Sequence, residues 1–577
     1  MEMLKSLETQ KGESATAAHE RLRRLDRNFD YIHTECGLVR TTLGALAQEL
    51  STQQTRLKAA LDDATNHGFT LHADGSVEYP PAGESLLTKQ PVPGSSVRGV
   101  DRRLFLRELP MHPQAQPPMG ASANPNHAVA QEIASRIHTA LLAAQEVDSR
   151  FTQALNRLVA ADGLEVTDAT WADATADADL VRKEAGHYLH DTIPLDRSPA
   201  DRHSWWQGLT DDQRAEYLAV YPDVIGNLDG IPAETRDRAN RDNLEMLIGK
   251  LSEQGDEKSR NQLEGLRSIN DQLWNQRPMD PPMYLLGISD QNNGRAIVSF
   301  GNPDTSKNVS AYVPGLGTAL DGSFARNDIE RARSTGILAS RFDPSTASMV
   351  WLGYDAPQAP ADKFVENFEV MGDGKARTGA TSYNQFMAGI SATNHNSDPH
   401  VTAIGHSYGS LMVGQAAQAP GGIPGADDIV LIGSPGTGAH TADQLGVGRE
   451  HVWVGAADND PVTQLPNKAE ANGMLRGVIN GISGGPTGPL LGGATGFLAG
   501  TIATGTSEGY FGTDPADRSF GARRFEVAAG PPAFHSLEDP APAHSNYFDP
   551  QVDPVSAENI ARIVAGDTSG LTTQDPR

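Results

Sequence analysis

The sequence predicts an α/β fold, a mostly parallel sheet with helices on both faces, preceded by an extended helical N-terminal region. Three observations predict it. From about residue 281 onward, short β-rich apolar runs alternate with polar stretches, the later ones of helix length, which is the rhythm of strands joined by crossover helices. Before that point, apolar residues recur in steps of three and four, the period of one helix face. The segment Gly405–Gly409 reads G-x-S-x-G, with a β-branched run before it and a helix-forming run after it.

Taken in chain order, the first helical stripe runs Leu22, Leu25, Phe29, Ile32, Cys36, Val39, Leu43, Leu46 and Leu50, then resumes at Leu57, Leu61 and Ala64. Gly37 and Gly68 are candidate turn and end positions. Alone, such a stripe has nothing to bury against. It needs a partner helix, a second copy or another protein. Asp74-Gly75 sits between β-prone runs and predicts a small hairpin, so residues 1–79 read as a helical hairpin-like region with that β-hairpin attached. Residues 80–125 hold nine prolines and little periodicity, so 80–127 read as a proline-rich linker. A second stripe, Ile133 to Leu158, opens a helical region at 128–280, and its helix is expected to pair with the first. That region also carries Trp205-Trp206, Tyr221-Pro222 and Ile225–Pro232. Their simplest role is an aromatic anchor for the next domain, since buried tryptophans mostly pack. A substrate-facing role is the alternative.

Residues 281–577 form the sheet domain. Its expected strands are Tyr284–Ile288, Ala296–Phe300, Val309–Val313, Met349–Tyr354, Val401–Ile404, Asp428–Ile432, His451–Val454 and Phe525–Ala528. The closely spaced first three suit an antiparallel edge. Residues 468–510 are a glycine-rich insertion. Its run 477–507 has no charge, and Gly488, Gly492, Gly496 and Gly500 recur every four residues, lining one helix face with glycine. A lid is the favoured reading; self-association and shallow lipid insertion are alternatives. A bilayer span there would separate Asp460 from His544, which have to meet.

Composition excludes several classes. With 47 basic and 73 acidic residues the net charge is −26, which opposes binding to nucleic-acid phosphates or anionic lipid. A single cysteine, Cys36, rules out an intramolecular disulfide framework and cysteine-rich metal sites. There is no His-Glu-x-x-His, and the Asn394–His400 stretch lacks matching carboxylates, so no metal or organic cofactor is implied. The polar N-terminal stretch does not read as a secretory signal, making cytoplasmic the default location.

The chemistry centres on Ser407. A sharp strand-to-helix turn would lift its hydroxyl clear of the sheet, and the flanking glycines would let neighbouring backbone approach. The two other G-x-S-x-G matches, around Ser483 and Ser507, follow no strand and read as accidental. A serine needs a base, and on this kind of turn the partners follow in the order serine, acid, histidine. The acid is expected just past the His451–Val454 strand, where Asp460 heads an Asp-Pro-Val turn; Asp458 is the alternative. The histidine is expected after the last long strand, with His544 favoured over His535. His406 reads as packing or support. Oxyanion donors are expected from the backbone N–H of Tyr408 and from that of Leu316 or Gly317 in the Pro314–Thr318 loop. That loop lacks the Gly-Lys-Ser/Thr ending of a phosphate cradle.

Together these residues resemble the α/β-hydrolase superfamily, and more narrowly an actinobacterial α/β-hydrolase family long catalogued as a domain of unknown function. The resemblance spans about residues 200–566. It rests on Trp205-Trp206 with Ile225–Pro232, Asn308–Thr318, Gly405–Ser410, Gly433–Gly436, Asp460-Pro461-Val462 and the His544 segment. It implies an α/β-hydrolase fold and a serine hydrolase with a Ser407–Asp460–His544 triad, with no established substrate; the chemistry of such a triad leads to the expectation of a small-molecule acyl substrate, an ester or similar. A non-catalytic scaffold on the same fold is the alternative. The N-terminal helices more loosely resemble the helical-hairpin modules of type VII secretion substrates. Lys11-Gly12 keeps the glycine of their Trp-x-Gly turn without its tryptophan. Tyr31-Ile32-His33-Thr34-Glu35 fits a Tyr-x-x-x-Asp/Glu pattern, so type VII export stands as an alternative location.

Overall fold

A computed structural model describes residues 13–85, 89–100, 124–158, 165–185, 187–358, 372–465, 508–532 and 541–577. His535 and the uncharged run 477–507, with Ser483 and Ser507, lie outside the described residues. The chain divides into two compact units. One comprises Ile32–Gly163 and Ala176–Thr192; the other comprises Met1–Tyr31, Leu164–Thr175 and Ile193–Arg577.

The N-terminal stripe forms a single helix, Glu13–Asn66, unbroken at Gly37. One glycine in a helix costs about 1 kcal/mol and does not by itself end it. The buried face is offset from the stripe read in the sequence. Tyr31, Leu38, Thr41, Thr42 and Ala45 are buried, while Leu25, Phe29 and Leu43 are exposed. Thr41, Thr42 and Ala45 thus share the buried face with the larger Tyr31 and Leu38. In the smaller unit the helix packs Ala60 and Ala64 with Ile133 and Ile137 of the helix Asn126–Leu155. Three short antiparallel strands join that core: β1 (Thr70–Leu71), β2 (Val77–Tyr79) and β3 (Ser95–Val97). The Asp74-Gly75 turn joins the first two. β3 lies within the stretch read as linker, so that part of the linker is ordered.

The larger unit is built on nine strands: β4 (Met283–Ser289), β5 (Arg295–Phe300), β6 (Asn308–Val313), β7 (Thr346–Leu352), β8 (His400–His406), β9 (Asp428–Ile432), β10 (Val452–Gly455), β13 (Arg523–Phe525) and β14 (Thr573–Gln574). A separate two-residue ribbon, β11 (Glu508–Gly509) with β12 (Gly512–Thr513), precedes the last two. The strand order is β14-β13-β10-β9-β8-β6-β7-β5-β4. From β13 through β7 the strands are parallel; the pairs β4–β5, β5–β7 and β13–β14 are antiparallel. The third run, read as part of an antiparallel edge, is instead the inner strand β6, parallel to β7 and β8. All six of its residues are buried, as an inner position covered on both faces demands.

Side chains alternate between two cores. On one face Val309, Ala311, Met349 and Trp351 pack with Tyr383, Phe386 and Leu411. On the other, Tyr312, Val350, Ile404 and Ile432 pack with Leu244, Leu266, Phe324 and Ile560. The helix Ala233–Ser252 belongs to this second layer, and Asn240 Nδ2 donates to the Leu285 carbonyl of β4 (3.0 Å). The boundary expected at 280/281 therefore falls inside one compact unit, because the sheet needs those preceding helices as a cover.

Trp351 is 1 % exposed and stacks on Tyr354 at 6.1 Å, with Tyr383 edge-on at 5.1 Å. Trp351→Ala is expected to cost about 3–5 kcal/mol, read from the urea midpoint of the full chain; a loss under about 1 kcal/mol would mean that this face is not close-packed. Among the described residues, no helix is long and apolar enough to cross a membrane.

Candidate active site

The chain runs from β6 outward to β7 and then returns past β6 to β8, so the strand order reverses between β6 and β8. In open α/β sheets, ligands bind at the carboxyl ends of strands where that reversal opens a crevice. Pro314–Thr318 leaves the end of β6 there, and Ser407 leaves the end of β8.

Ser407 adopts φ 56° and ψ −130°, left-handed backbone that is strained for a non-glycine residue. Flanking structure holds it there. The Ser407 N–H donates to Ile432 at the end of β9 (2.9 Å), and the Ser410 N–H donates to the Ser407 carbonyl (3.0 Å). A Cβ at Gly409 would come within 2.2 Å of the Val313 carbonyl oxygen, so glycine is required for the new helix to sit against β6. That helix, Tyr408–Ala417, has no side-chain cap. Tyr408 is its first residue, so the Tyr408 N–H has no carbonyl one turn back to bond.

Asp460 and His544 converge at the same edge. Past β10, Asp460 caps a short turn, its Oδ1 accepting from the Val462 N–H (2.9 Å). His544, in the short helix Pro542–Ser545, sets Nδ1 2.9 Å from Asp460 Oδ2. A carboxylate only accepts, so Nδ1 carries the proton and Nε2 is left as the basic nitrogen. The Tyr547 hydroxyl donates to Asp460 Oδ2 (2.7 Å) and accepts from the Ala457 N–H (2.9 Å). Asp460 is fully buried. Burial alone would raise its carboxyl, but the His544 ring, the Tyr547 hydroxyl and the Val462 N–H together hold it below the usual range. Asp458 is exposed and away from this cluster, its carbonyl accepting from Gln464 Nε2 (2.6 Å). Gly433, at φ 54°, makes room for the pair: a Cβ there would meet His544 Nδ1 at 2.8 Å and Asp460 Oδ2 at 2.9 Å.

His406 lies beneath. Its ring stacks on His544 (4.6 Å between centroids, 29° between planes), and its Nε2 donates to the His544 carbonyl (2.8 Å). Burial, with His544 and Arg331 nearby, pushes His406 well below its ordinary value, so it stays neutral and supports the His544 ring from below.

Ser407, His406 and His544 line one cavity of about 250 Å³ with Gly315, Leu316, Gly317 and the start of the helix Gly322–Ala339. The Gly317 N–H donates to the Pro357 carbonyl (2.8 Å), which removes Gly317 as an oxyanion donor. For the Leu316 N–H no acceptor is found among the described residues. Sequence reasoning missed Tyr547 as an anchor of the acid; its signal was its place three residues after His544. It also missed Asp328 and Arg331, whose spacing on one helix did not reveal that the helix borders the serine. Among the described residues, no group of three or more His, Cys, Asp or Glu side chains could hold a metal ion.

A nine-stranded, largely parallel sheet with a strained serine turn at its order reversal defines an α/β-hydrolase. A family model described as alpha/beta hydrolase matches residues 290–470. The uncharacterized protein Rv0963c of Mycobacterium tuberculosis is 35% identical over 243 residues, covering 40% of this chain and 87% of that protein. The uncharacterized protein Rv2079 of the same organism is 30% identical over 354 residues, covering 56% of this chain and 50% of that protein; the chain thus spans about half the length of that relative. The chain belongs to the α/β-hydrolase family.

Proposed function

We propose that this protein is a serine hydrolase that cleaves an ester or a similar acyl bond through a covalent acyl-enzyme. The observation carrying the proposal is the strained Ser407 turn opening on the same cavity as His544, whose Nδ1 is tied to a buried Asp460. In the reading proposed, Ser407 Oγ bonds to the acyl carbon as its proton passes to His544 Nε2. The carbon–oxygen bond to the leaving alcohol breaks, and His544 returns that proton to the departing oxygen. Water then adds to the acyl carbon, giving one proton to His544. The acid is released as that proton returns to Ser407. The N–H groups of Tyr408 and Leu316 hold the oxyanion, where one such donor is typically worth about 10²–10³ in rate.

The direct test is a fluorophosphonate probe on the full chain, with the modified peptide mapped. Labelling confined to Ser407 is expected; no modification of Ser407 would overturn the reading. A Cβ at Gly315 would come within 2.6 Å of Ser407 Cβ and 3.0 Å of its Oγ. Gly315→Ala is therefore expected to slow that labelling at least tenfold and to cost about 1–3 kcal/mol through overpacking. Unchanged labelling would mean that the loop yields and does not shape the site.

A further inference from the structure

The cavity beside Ser407 has an unusual wall for a site that would take a hydrocarbon chain. Past the oxyanion loop it is faced by Thr318, Asp321, Ser323, Asn327, Asp328 and Arg331. Several of these have hydrogen-bonding capacity left over. Arg331 uses Nη1 for both the Tyr312 hydroxyl (3.0 Å) and Asp328 Oδ1 (2.8 Å). Its Nε and Nη2 make no hydrogen bond among the described residues. Asp328 takes Tyr312 and Arg331 on Oδ1 (2.7 and 2.8 Å), and its Oδ2 accepts no hydrogen bond among the described residues. Asp321 caps the helix through Oδ1, accepting from the Ser323 and Phe324 N–H groups (2.8 and 2.9 Å), and among the described residues its Oδ2 likewise accepts nothing. Asn327 donates to Ser323 Oγ (3.1 Å), which leaves its carbonyl oxygen as an acceptor.

This inventory narrows the ligand. An alkyl chain would strip water from two carboxylates and a guanidinium and return nothing. An anion would find Arg331 already paired with Asp328, and Asp321 close by. A hydroxyl both donates and accepts, so a compact group bearing several hydroxyls can satisfy the open donors and the open acceptors together. The volume, about 250 Å³, lies below the usual range for drug-sized ligands. His544 also borders the cavity, and in the mechanism above it returns a proton to the leaving oxygen. The group in the cavity is then the one carried on that oxygen.

Resting on the serine-hydrolase reading, we infer that the preferred substrates are esters whose alcohol part is a compact polyol, of the size and chemistry of a monosaccharide. Hydrolysis breaks the acyl–oxygen bond, adds one water across it and releases the free polyol and the acid. The test compares kcat/KM of the full chain on methyl 6-O-acetyl-glucopyranoside and on cyclohexylmethyl acetate, which share the acyl group and the ring size and differ in the hydroxyls, the ring oxygen and the methoxy group. A preference of at least tenfold for the sugar ester is expected, and Asn327→Leu should shrink that ratio at least fivefold. If this variant does not fold, Ser323→Val replaces it with the same expectation. Equal rates, a preference for the cyclohexyl ester, or a ratio untouched by the substitution would overturn the inference. Fluorophosphonate labelling separates the two layers. If Ser407 is labelled but the sugar ester is not preferred, only the polyol inference falls. If Ser407 is not labelled, the serine-hydrolase reading falls and takes the inference with it.

Discussion

Ser407→Ala is expected to lower kcat on an activated ester by about 10⁶ and to abolish phosphonate labelling, while leaving the unfolding midpoint nearly where it was. The two halves of this result have different causes. Activity goes because, in the mechanism proposed, the Ser407 hydroxyl is the group that forms the acyl-enzyme, and it is the one set on the strained turn at the end of β8. Stability stays because alanine, like serine, carries a Cβ, so the strain at φ 56° is neither relieved nor deepened. Ser407→Gly separates these effects. Strained non-glycine backbone of this kind costs about 1–3 kcal/mol, and glycine's added freedom in the unfolded chain returns about 0.5–1 kcal/mol of that. The glycine variant should therefore be about 1 kcal/mol more stable than the natural chain and equally inactive. Denaturant melts of the three proteins, with kcat on p-nitrophenyl acetate, decide it. If the alanine variant loses several kcal/mol, Ser407 is a structural turn residue and the site needs another nucleophile.

What could be read from the sequence and what could not follow from the range of the physics involved. Inner strands such as β6, β8 and β9 are covered on both faces and so appear as short runs rich in apolar and β-branched residues, which local pattern detects. Their partners are set by crossovers of tens of residues, so local spacing suggests an edge position for β6 although it is an inner strand. The turn at Ser407 announces itself because strand, glycine and helix are contiguous. The Asp460 turn does so through the proline after it. By contrast, the Gly317 N–H is taken by Pro357, forty residues on, and no local pattern could tell it from Leu316. In the sequence Asp328 and Arg331 are only an acid and a base three residues apart; the placement of the helix Gly322–Ala339 beside the Pro314–Thr318 loop makes them part of a cavity wall. The N-terminal helix shows the remaining limit. Hydropathy marks the stripe of large residues, yet Phe29 and Leu43 are exposed while Thr41, Thr42 and Ala45 are buried, because which face is covered is set by elements far away in the chain.

Asp460→Asn is expected to lower kcat by about 10⁴, and Asp458→Asn by less than about twofold. The acid receives three donors: His544 Nδ1–H and the Tyr547 hydroxyl at Oδ2, and the Val462 N–H at Oδ1. An asparagine keeps only one accepting oxygen. If that oxygen faces Val462, the amide NH₂ faces His544 and favours the tautomer with the proton on Nε2, which cannot take a proton from Ser407. If it faces His544, the NH₂ meets the Val462 N–H, leaving a buried donor unsatisfied at a cost of about 1–3 kcal/mol. Either orientation harms the site, the first through catalysis and the second through stability. The pH dependence adds an independent check. Because the folded carboxyl is held below its usual range, its contribution to stability is fully present above the unfolded pKa of about 3.9 and is lost as pH falls through the lower folded value. The asparagine variant cannot titrate there, so its acid unfolding profile should lack that component. A larger activity loss for Asp458→Asn than for Asp460→Asn would move the acid to the exposed neighbour. The hydrogen-bonded cluster of Asp460, His544 and Tyr547 would then be a structural clasp at the sheet edge.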